Sequence, residues 1–413
     1  MSATEKMEEV SWKVDQAIKL INDNKIVGTE SNETNENGVV TVSDLSFGYY
    51  LIVETTTPTN YVASKPFFVA IPSANNYNDS NKPATGWVYD INVEPKNEKI
   101  PPIEKDADVT SAELGQIIYY TVTGPAVPTY DQSYDDTTLK YTITDTLSKG
   151  LTFEGNTTIK VYKDSIDAGN LLELTNDYTL TDPVSDDNGT TISISLTQQA
   201  IKVLAGHEII VTYSAKVNEN AVVGKDAITN AVKLEYTNSP NTTFEGDPIT
   251  NKVYSFQIKV NKTGDDGKAL EGAKFGLYRD QDCTEKIAEA TSGKDGAVVF
   301  KDTENKEIIL DEGTYYLKEL SAPNGYTILA TPFEVTIKDN TENDTQDYDF
   351  SYSLNNEEDK TISDDGIITV NVRNNKGFSL PSTGGAGTYL FTIGGIVIMA
   401  GAAFALIAMK KRA

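Results

Sequence analysis

The stretch YSFQIKVNK, residues 254–262, decides how this chain folds. Phe256, Ile258 and Val260 alternate with Ser255, Gln257, Lys259 and Asn261, the period-two pattern of a strand with one face in a core. The same parity puts Lys262 on the apolar face. Further on, IITVNVRNN (367–375) turns Ile368, Val370 and Val372 inward, and the next residue in phase is Asn374. In TYYLKEL (314–320) the in-phase set is Tyr315, Leu317 and Glu319. Three polar groups are thus aimed at one core. Burying an unpaired ammonium or carboxylate is costly, so they must satisfy one another.

This pattern has two readings. In the plainer one, Lys262, Glu319 and Asn374 form a buried hydrogen-bond cluster, or the parity slips by a residue at a strand end. In the covalent one, burial lowers the lysine pKa and raises that of the acid. Lys262 Nζ then attacks the Asn374 carboxamide while Glu319 polarises its carbonyl, ammonia leaves, and an isopeptide bond remains. Contact in a dry core supplies the effective molarity. The stretches FQIKVNKTGDDGKALEGAKFGLY (256–278), YYLKELSAPNGY (315–326) and VNVRNNKGFSLPSTGG (370–385) resemble the start, the acid-bearing box and the end of a CnaB-type domain of Gram-positive pilins and surface adhesins. That resemblance places the family's lysine, acid and amide on Lys262, Glu319 and Asn374.

Short runs of Val, Ile, Thr and Tyr between Gly, Asn, Asp and Pro turns fill most of the chain, and only residues 5–22 show helical spacing. Breaks at EPKNEKIPPIEK (94–105) and NSPNTTFEGDPITN (238–251) divide it into domains at 1–97, 98–252 and 253–377, ahead of a terminal segment, 378–413. Residues 37–61 repeat the order of 295–326: a Gly turn, a short strand, a Gly, then Tyr-Tyr and a strand ending in Glu. The first and third domains therefore look homologous.

The middle domain obeys the same logic with other residues. DAITNAVKLEY (226–236) lines up Ile228, Asn230, Val232, Leu234 and Tyr236, YTITDTLSKGLTF (141–153) lines up Tyr141, Ile143 and Asp145, and Lys105 is in phase with Ile103. This resembles the isopeptide-forming D2 domain of fimbrial subunits, a CnaA-like fold whose acid is an aspartate. It implies Lys105, Asp145 and Asn230 as the trio, with Asn238 a second candidate for the amide and a solvated Lys105 the alternative. In the first domain, GWVYDINVEPKN (86–97) puts Trp87, Tyr89, Ile91, Val93, Pro95 and Asn97 on one face and Lys96 on the other. Glu54 and Asn97 are two thirds of another trio whose lysine belongs on a preceding strand, so no bond is assigned there. The expected fold is all-β: three tandem Ig-like β-sandwiches (CnaB-like, D2/CnaA-like, CnaB-like) and a C-terminal transmembrane helix.

That helix is expected because residues 388–409 hold no charged side chain and then meet Lys410, Lys411 and Arg412, long enough for a bilayer and with a cytoplasmic basic end. Just ahead of it lies Leu380-Pro381-Ser382-Thr383-Gly384. The combination resembles the sortase cell-wall sorting signal, which implies cleavage between Thr383 and Gly384 and an acyl-enzyme on the Thr383 carbonyl. WVYDINVEPKNEK resembles the pilin motif of sortase-assembled major pilins, with Lys96 as its nucleophile. It departs from the pattern at Glu94, where Tyr is usual, and in the spacing from Trp87 to Val93. Taken together, the chain resembles a SpaA-type backbone pilin. The implied partners are a pilus sortase, a housekeeping sortase, other copies head to tail, peptidoglycan, minor pilins and host surface ligands. The alternative is a monomeric wall-anchored adhesin or minor pilin.

Composition excludes other classes. With 61 acidic against 35 basic residues and a net charge of -26, the chain lacks the basic footprint that nucleic acid requires. Cys283 is the only cysteine and His207 the only histidine, so disulfide staples, a Ser-His-Asp triad and a histidine-rich zinc site are all disfavoured. No enzyme activity beyond self-directed bond formation, no cofactor and no metal are expected. The opening MSATEKMEEVSWKV lacks the basic and apolar regions of a signal peptide, which suggests a truncated start or a misassigned gene start.

Overall fold

The computed structural model describes residues 3–58, 60–74, 86–240, 242–341, 347–377 and 392–402. Strands dominate it. The middle region packs two sheets face to face. One orders Leu151–Phe153, Ile209–Val217, Ile117–Gly124 and Glu104–Ala107; the other orders Tyr178–Leu180, Gly189–Leu196, Tyr141–Ser148 and Ile228–Ser239. Burial alternates residue by residue along Tyr141–Ser148, so Ile143 and Leu147 face the core together with Ile118, Val211 and Val232.

The third region repeats the sandwich with a different wiring. Ala297–Val299, Gln257–Gly264 and Ile367–Asn374 form a three-stranded sheet opposite a six-stranded one that includes Lys274–Tyr278, Gly313–Ser321 and Phe333–Asp339. Its first and last strands are parallel neighbours, with Lys262 opposite Val372 and Gly264 opposite Asn374. Phe256, Ile258, Val260, Phe275, Leu317 and Val370 build its core.

The first region differs. A helix, Ala3–Asp23, buries Val14 and Ile18 one turn apart, and among the described residues the β content is three two-stranded pairs: Gly48–Ile52 with Phe67–Ile71, Tyr61–Val62 with Glu98–Lys99, and Ser73–Ala74 with Trp87–Val88. Residues 39–43 and 91–97, alternating in sequence, lie outside any strand. Alternation defines a face, but a strand also needs a partner ladder and an opposing layer. Trp87, in phase with Asn97, stays 67% exposed.

The middle and third regions are joined by backbone hydrogen bonds, Ala112 N to Tyr254 O and Tyr254 N to Thr110 O, both 2.9 Å. Beside them Gly224, at φ +83°, comes so near 364–366 that a Cβ would fall 2.3 Å from the Asp364 carbonyl oxygen. Only glycine fits there, and the joint is correspondingly tight.

Leu380, Pro381, Ser382, Thr383 and Gly384 lie outside the described residues, as do 388–391 and 403–409 of the expected membrane span. Residues 392–402 are helical, and no described helix is long and apolar enough to cross a membrane.

Candidate functional site

In the middle region the sheet registers converge on one point. Lys105 pairs with Val122, two residues from Tyr120, and Tyr120 faces Tyr213 on the next strand. From the opposite sheet, Asp145 pairs with Val232, and Asn230 lies two positions along the same face. Lys105, Asp145 and Asn230 are all buried. Lys105 Nζ donates to Asp145 Oδ2 and, at 2.8 Å, to the Tyr213 hydroxyl. Asn230 Nδ2 donates to the same hydroxyl at 2.6 Å. Asn238 sits elsewhere: its side chain accepts from Thr242, and its carbonyl accepts from Ala63 N at 2.8 Å.

Burial dominates the electrostatics. It lowers the Lys105 pKa to about 8 against the opposing pull of Asp145, and it raises that of Asp145 against the pull of Lys105. Both shifts move the pair toward amine and carboxylic acid, the forms that nucleophilic attack requires. Asp145 Oδ1 and Asn230 Oδ1 are both buried without a hydrogen-bond partner among the described residues. Asp145 and Asn230 lie diagonally across adjacent strands on one face, so a proton on Asp145 Oδ1 directed at Asn230 Oδ1 would satisfy both atoms and polarise the amide carbonyl.

In the third region Lys262, Glu319 and Asn374 are likewise buried, but linked differently. Asn374 Nδ2 donates to Glu319 Oε1 at 2.7 Å, and Leu329 N donates to Glu319 Oε2 at 2.8 Å. Lys262 Nζ leans on backbone oxygens, Thr263 O at 2.9 Å and Val372 O at 3.5 Å. Burial lowers its pKa, with Glu319 opposing. Asn374 Oδ1 has no partner among the described residues.

The first region holds the same acid–amide pair in outline. Asn97 Nδ2 donates to Glu54 Oε1 at 2.8 Å and to Thr57 Oγ1 at 2.6 Å, and Ser64 N donates to Glu54 Oε2 at 2.8 Å. In both domains the backbone donor stands ten residues after the acid. Glu54 and Asn97 are half-buried, whereas neighbouring Lys96 is exposed. Sequence reasoning missed Tyr213, Tyr120 and Thr57. For Tyr213 the signal was present: in IIVTYSAKV (209–217) it is in phase with Val211 and Ala215.

One family model, described as a SpaA prealbumin-like fold domain, matches residues 2–84 and again 256–349. A second, a Gram-positive pilin backbone subunit 2 Cna-B-like domain, matches 114–240, and an LPXTG cell wall anchor motif matches 373–413. The chain is 25% identical to a fimbrial subunit type 1 of Actinomyces viscosus, a match covering 92% of this chain and 76% of the relative. Its fold is similar to that of the T6 backbone pilin of Streptococcus pyogenes serotype M6, with a TM-score of 0.60 at 19% identity over 89% of each chain. It is also similar to that of the major pilin SpaD of Corynebacterium diphtheriae, at 0.52 and 24% over 83% of each. Pilin-domain models along the body and a wall-anchor model at the end converge on one assignment: the chain belongs to the Gram-positive, sortase-assembled backbone pilins, the structural subunits of surface pili attached to the cell wall.

Proposed function

We propose that copies of this chain are joined head to tail by a bond from the Thr383 carbonyl of one to the Lys96 amine of the next, and that the middle and third domains each carry an internal isopeptide bond. The domains are those bounded at 1–97, 98–252 and 253–377. A sortase cysteine takes the Thr383 carbonyl, releasing the segment that begins at Gly384, and Lys96 resolves the thioester. The contact is heterologous and does not close, so repetition builds a fibre. For the last subunit added, a wall-anchoring sortase hands the same carbonyl to an amine of peptidoglycan.

The observation that carries this reading is the way burial sorts the lysines. Lys105 and Lys262 are buried, each sharing its pocket with a buried acid and a buried carboxamide, while Lys96 is exposed beside Asn97. A buried amine cannot meet another chain, but it can meet the amide next to it. Lys105 attacking Asn230, with Asp145 as the acid, and Lys262 attacking Asn374, with Glu319 as the acid, replace an expensive buried ionisable group by a neutral amide. Each bond closes a loop of over 100 residues, since 105 to 230 and 262 to 374 are the positions joined. Cross-linking a loop of that length restricts the unfolded chain by about 4–5 kcal/mol.

Boiled wall extracts test the polymer. Wild type is expected to give a ladder of high-mass bands, and Lys96→Ala to collapse it to single subunits. A ladder that persists in Lys96→Ala would remove Lys96 from the linkage, and a single wall-linked band in wild type would favour a subunit displayed one at a time.

A further inference from the structure

Making an isopeptide bond from a lysine amine and an asparagine carboxamide requires one net proton transfer between nitrogens. The bond from Lys105 Nζ to Asn230 Cγ forms, the bond from Cγ to Nδ2 breaks, Nζ gives up one proton, and Nδ2 must gain one to leave as ammonia. Asp145 does not span these nitrogens, because its Oδ2 is engaged with the amine and its Oδ1 has no hydrogen-bond partner among the described residues. The group that touches both is the Tyr213 hydroxyl, 2.8 Å from Nζ and 2.6 Å from Nδ2.

We propose that Tyr213 is a catalytic residue of the middle domain's bond formation, taking a proton from the Lys105 nitrogen as it passes its own hydroxyl proton to the departing Asn230 nitrogen. This rests on the reading that Lys105 and Asn230 become bonded. The exchange is balanced: Tyr213 accepts one proton, donates one and ends neutral, while Asp145 lends its proton to Asn230 Oδ1 and recovers it when the carbonyl re-forms. Before attack, the amide nitrogen donates to the hydroxyl; once Cγ becomes tetrahedral, that nitrogen has a lone pair and accepts instead.

Three features suit the hydroxyl to this work. Its ring is fixed, stacked on Tyr120 at 5.4 Å between centroids and met edge-on by Phe153 at 6.3 Å. The two stacked rings also position the amine, with Nζ 5.1 Å from the Tyr120 centroid and 5.3 Å from that of Tyr213, a cation–π contact that restrains the charged form until it loses its proton. Burial and the nearby Asp145 charge hold the Tyr213 phenol far above its ordinary pKa, so it passes protons as a neutral hydroxyl and does not store a phenolate. In the third domain no tyrosine hydroxyl among the described residues bridges the two nitrogens: Lys262 Nζ donates to Thr263 O and Val372 O, and Asn374 Nδ2 to Glu319 Oε1.

The test tracks both bonds in the full chain during a pulse of cell-free synthesis, quantifying the 105–230 and 262–374 branched peptides over time. Tyr213→Phe is expected to slow the middle bond by about a hundredfold, the usual scale of a lost proton-transfer group, and to leave the third bond at its wild-type rate. Tyr236→Phe, which keeps a core ring packed on Phe244 and removes a hydroxyl without a hydrogen-bond partner among the described residues, is expected to bond normally. A structural role is separated by solvent isotope: the wild-type middle bond should form more slowly in D2O, and the residual Tyr213→Phe reaction should lose that dependence. Middle-bond formation at the wild-type rate in Tyr213→Phe overturns the proposal. So does an absence of D2O slowing in wild type, which decides the matter alone if Tyr213→Phe is more protease-sensitive than the unbonded Asn230→Ala chain. Wild type without any 105–230 peptide would sink the underlying bond as well, whereas a present bond indifferent to Tyr213 would sink only the relay.

Discussion

The middle and third domains solve one chemical problem with opposite arrangements of the same three kinds of side chain. In the middle domain the acid holds the nucleophile: Asp145 bonds Lys105, and the amide is reached through Tyr213. In the third the acid holds the electrophile: Glu319 bonds Asn374, and Lys262 rests on main-chain oxygens. The difference comes from length and topology. Glu319 stands on a central strand of the six-stranded sheet and reaches across to Asn374 on the sheet opposite. Asp145, one methylene shorter, shares a sheet with Asn230 and reaches across to Lys105. Identity of the trio therefore does not fix which proton contact is made in advance.

Removing the acids breaks the comparison most sharply. Asp145→Ala and Glu319→Ala should each leave one domain unbonded, with an intact mass about 17 Da above that of the same variant carrying both bonds, the ammonia retained. Each should also forfeit the cross-link's stabilisation of about 4–5 kcal/mol. The losses should not be equal. Without Asp145 the buried Lys105 amine keeps only the Tyr213 hydroxyl, and removing one partner from a buried ionisable pair is strongly destabilising; without Glu319, Lys262 keeps both of its carbonyl acceptors. Thermal melting is expected to fall further for Asp145→Ala, and equal falls would contradict the difference in wiring.

A smaller, graded effect is expected from pH. The Lys105 pKa is lowered by burial to about 8, so middle-domain bond formation should slow progressively as pH falls below that value and the amine is protonated. The same shift has a stability consequence in an unbondable Asn230→Ala chain. Its folded Lys105 binds fewer protons than the unfolded chain between about 8 and the ordinary 10.5, so stability rises with pH across that window and is lost as pH falls through 8. Denaturant titrations at several pH values check the sign; stability falling from pH 8 to 10.5 would contradict the assignment.

Strand parity made much of this legible. Lys105, Asp145, Asn230, Lys262, Glu319 and Asn374 each occupy an inward position in an alternating run, and a charged or amide side chain there is conspicuous because burial penalises it. Tyr213 was not legible in the same way, because an inward tyrosine reads as core and only its hydroxyl's two partners give it a role. The choice between Asn230 and Asn238 needed the structure too: both are buried, and only the cross-strand register brings Asn230 to the Asp145 side. The first domain resisted for a different reason. Alternation placed Trp87, Tyr89, Ile91, Val93, Pro95 and Asn97 on one face and Lys96 on the other, but of that face only Ile91 and Asn97 are even half-buried. No ladder forms along 91–97, since pairing depends on what lies beside a strand as well as on its own pattern.

The central claim is that buried lysines become covalent staples, and the most direct measurement is the intact mass of the wild-type chain with branched-peptide mapping. Two bonds predict a mass below the sequence value by about 17 Da for each, with peptides joining Lys105 to Asn230 and Lys262 to Asn374. An unshifted mass and linear peptides at all four positions would contradict it.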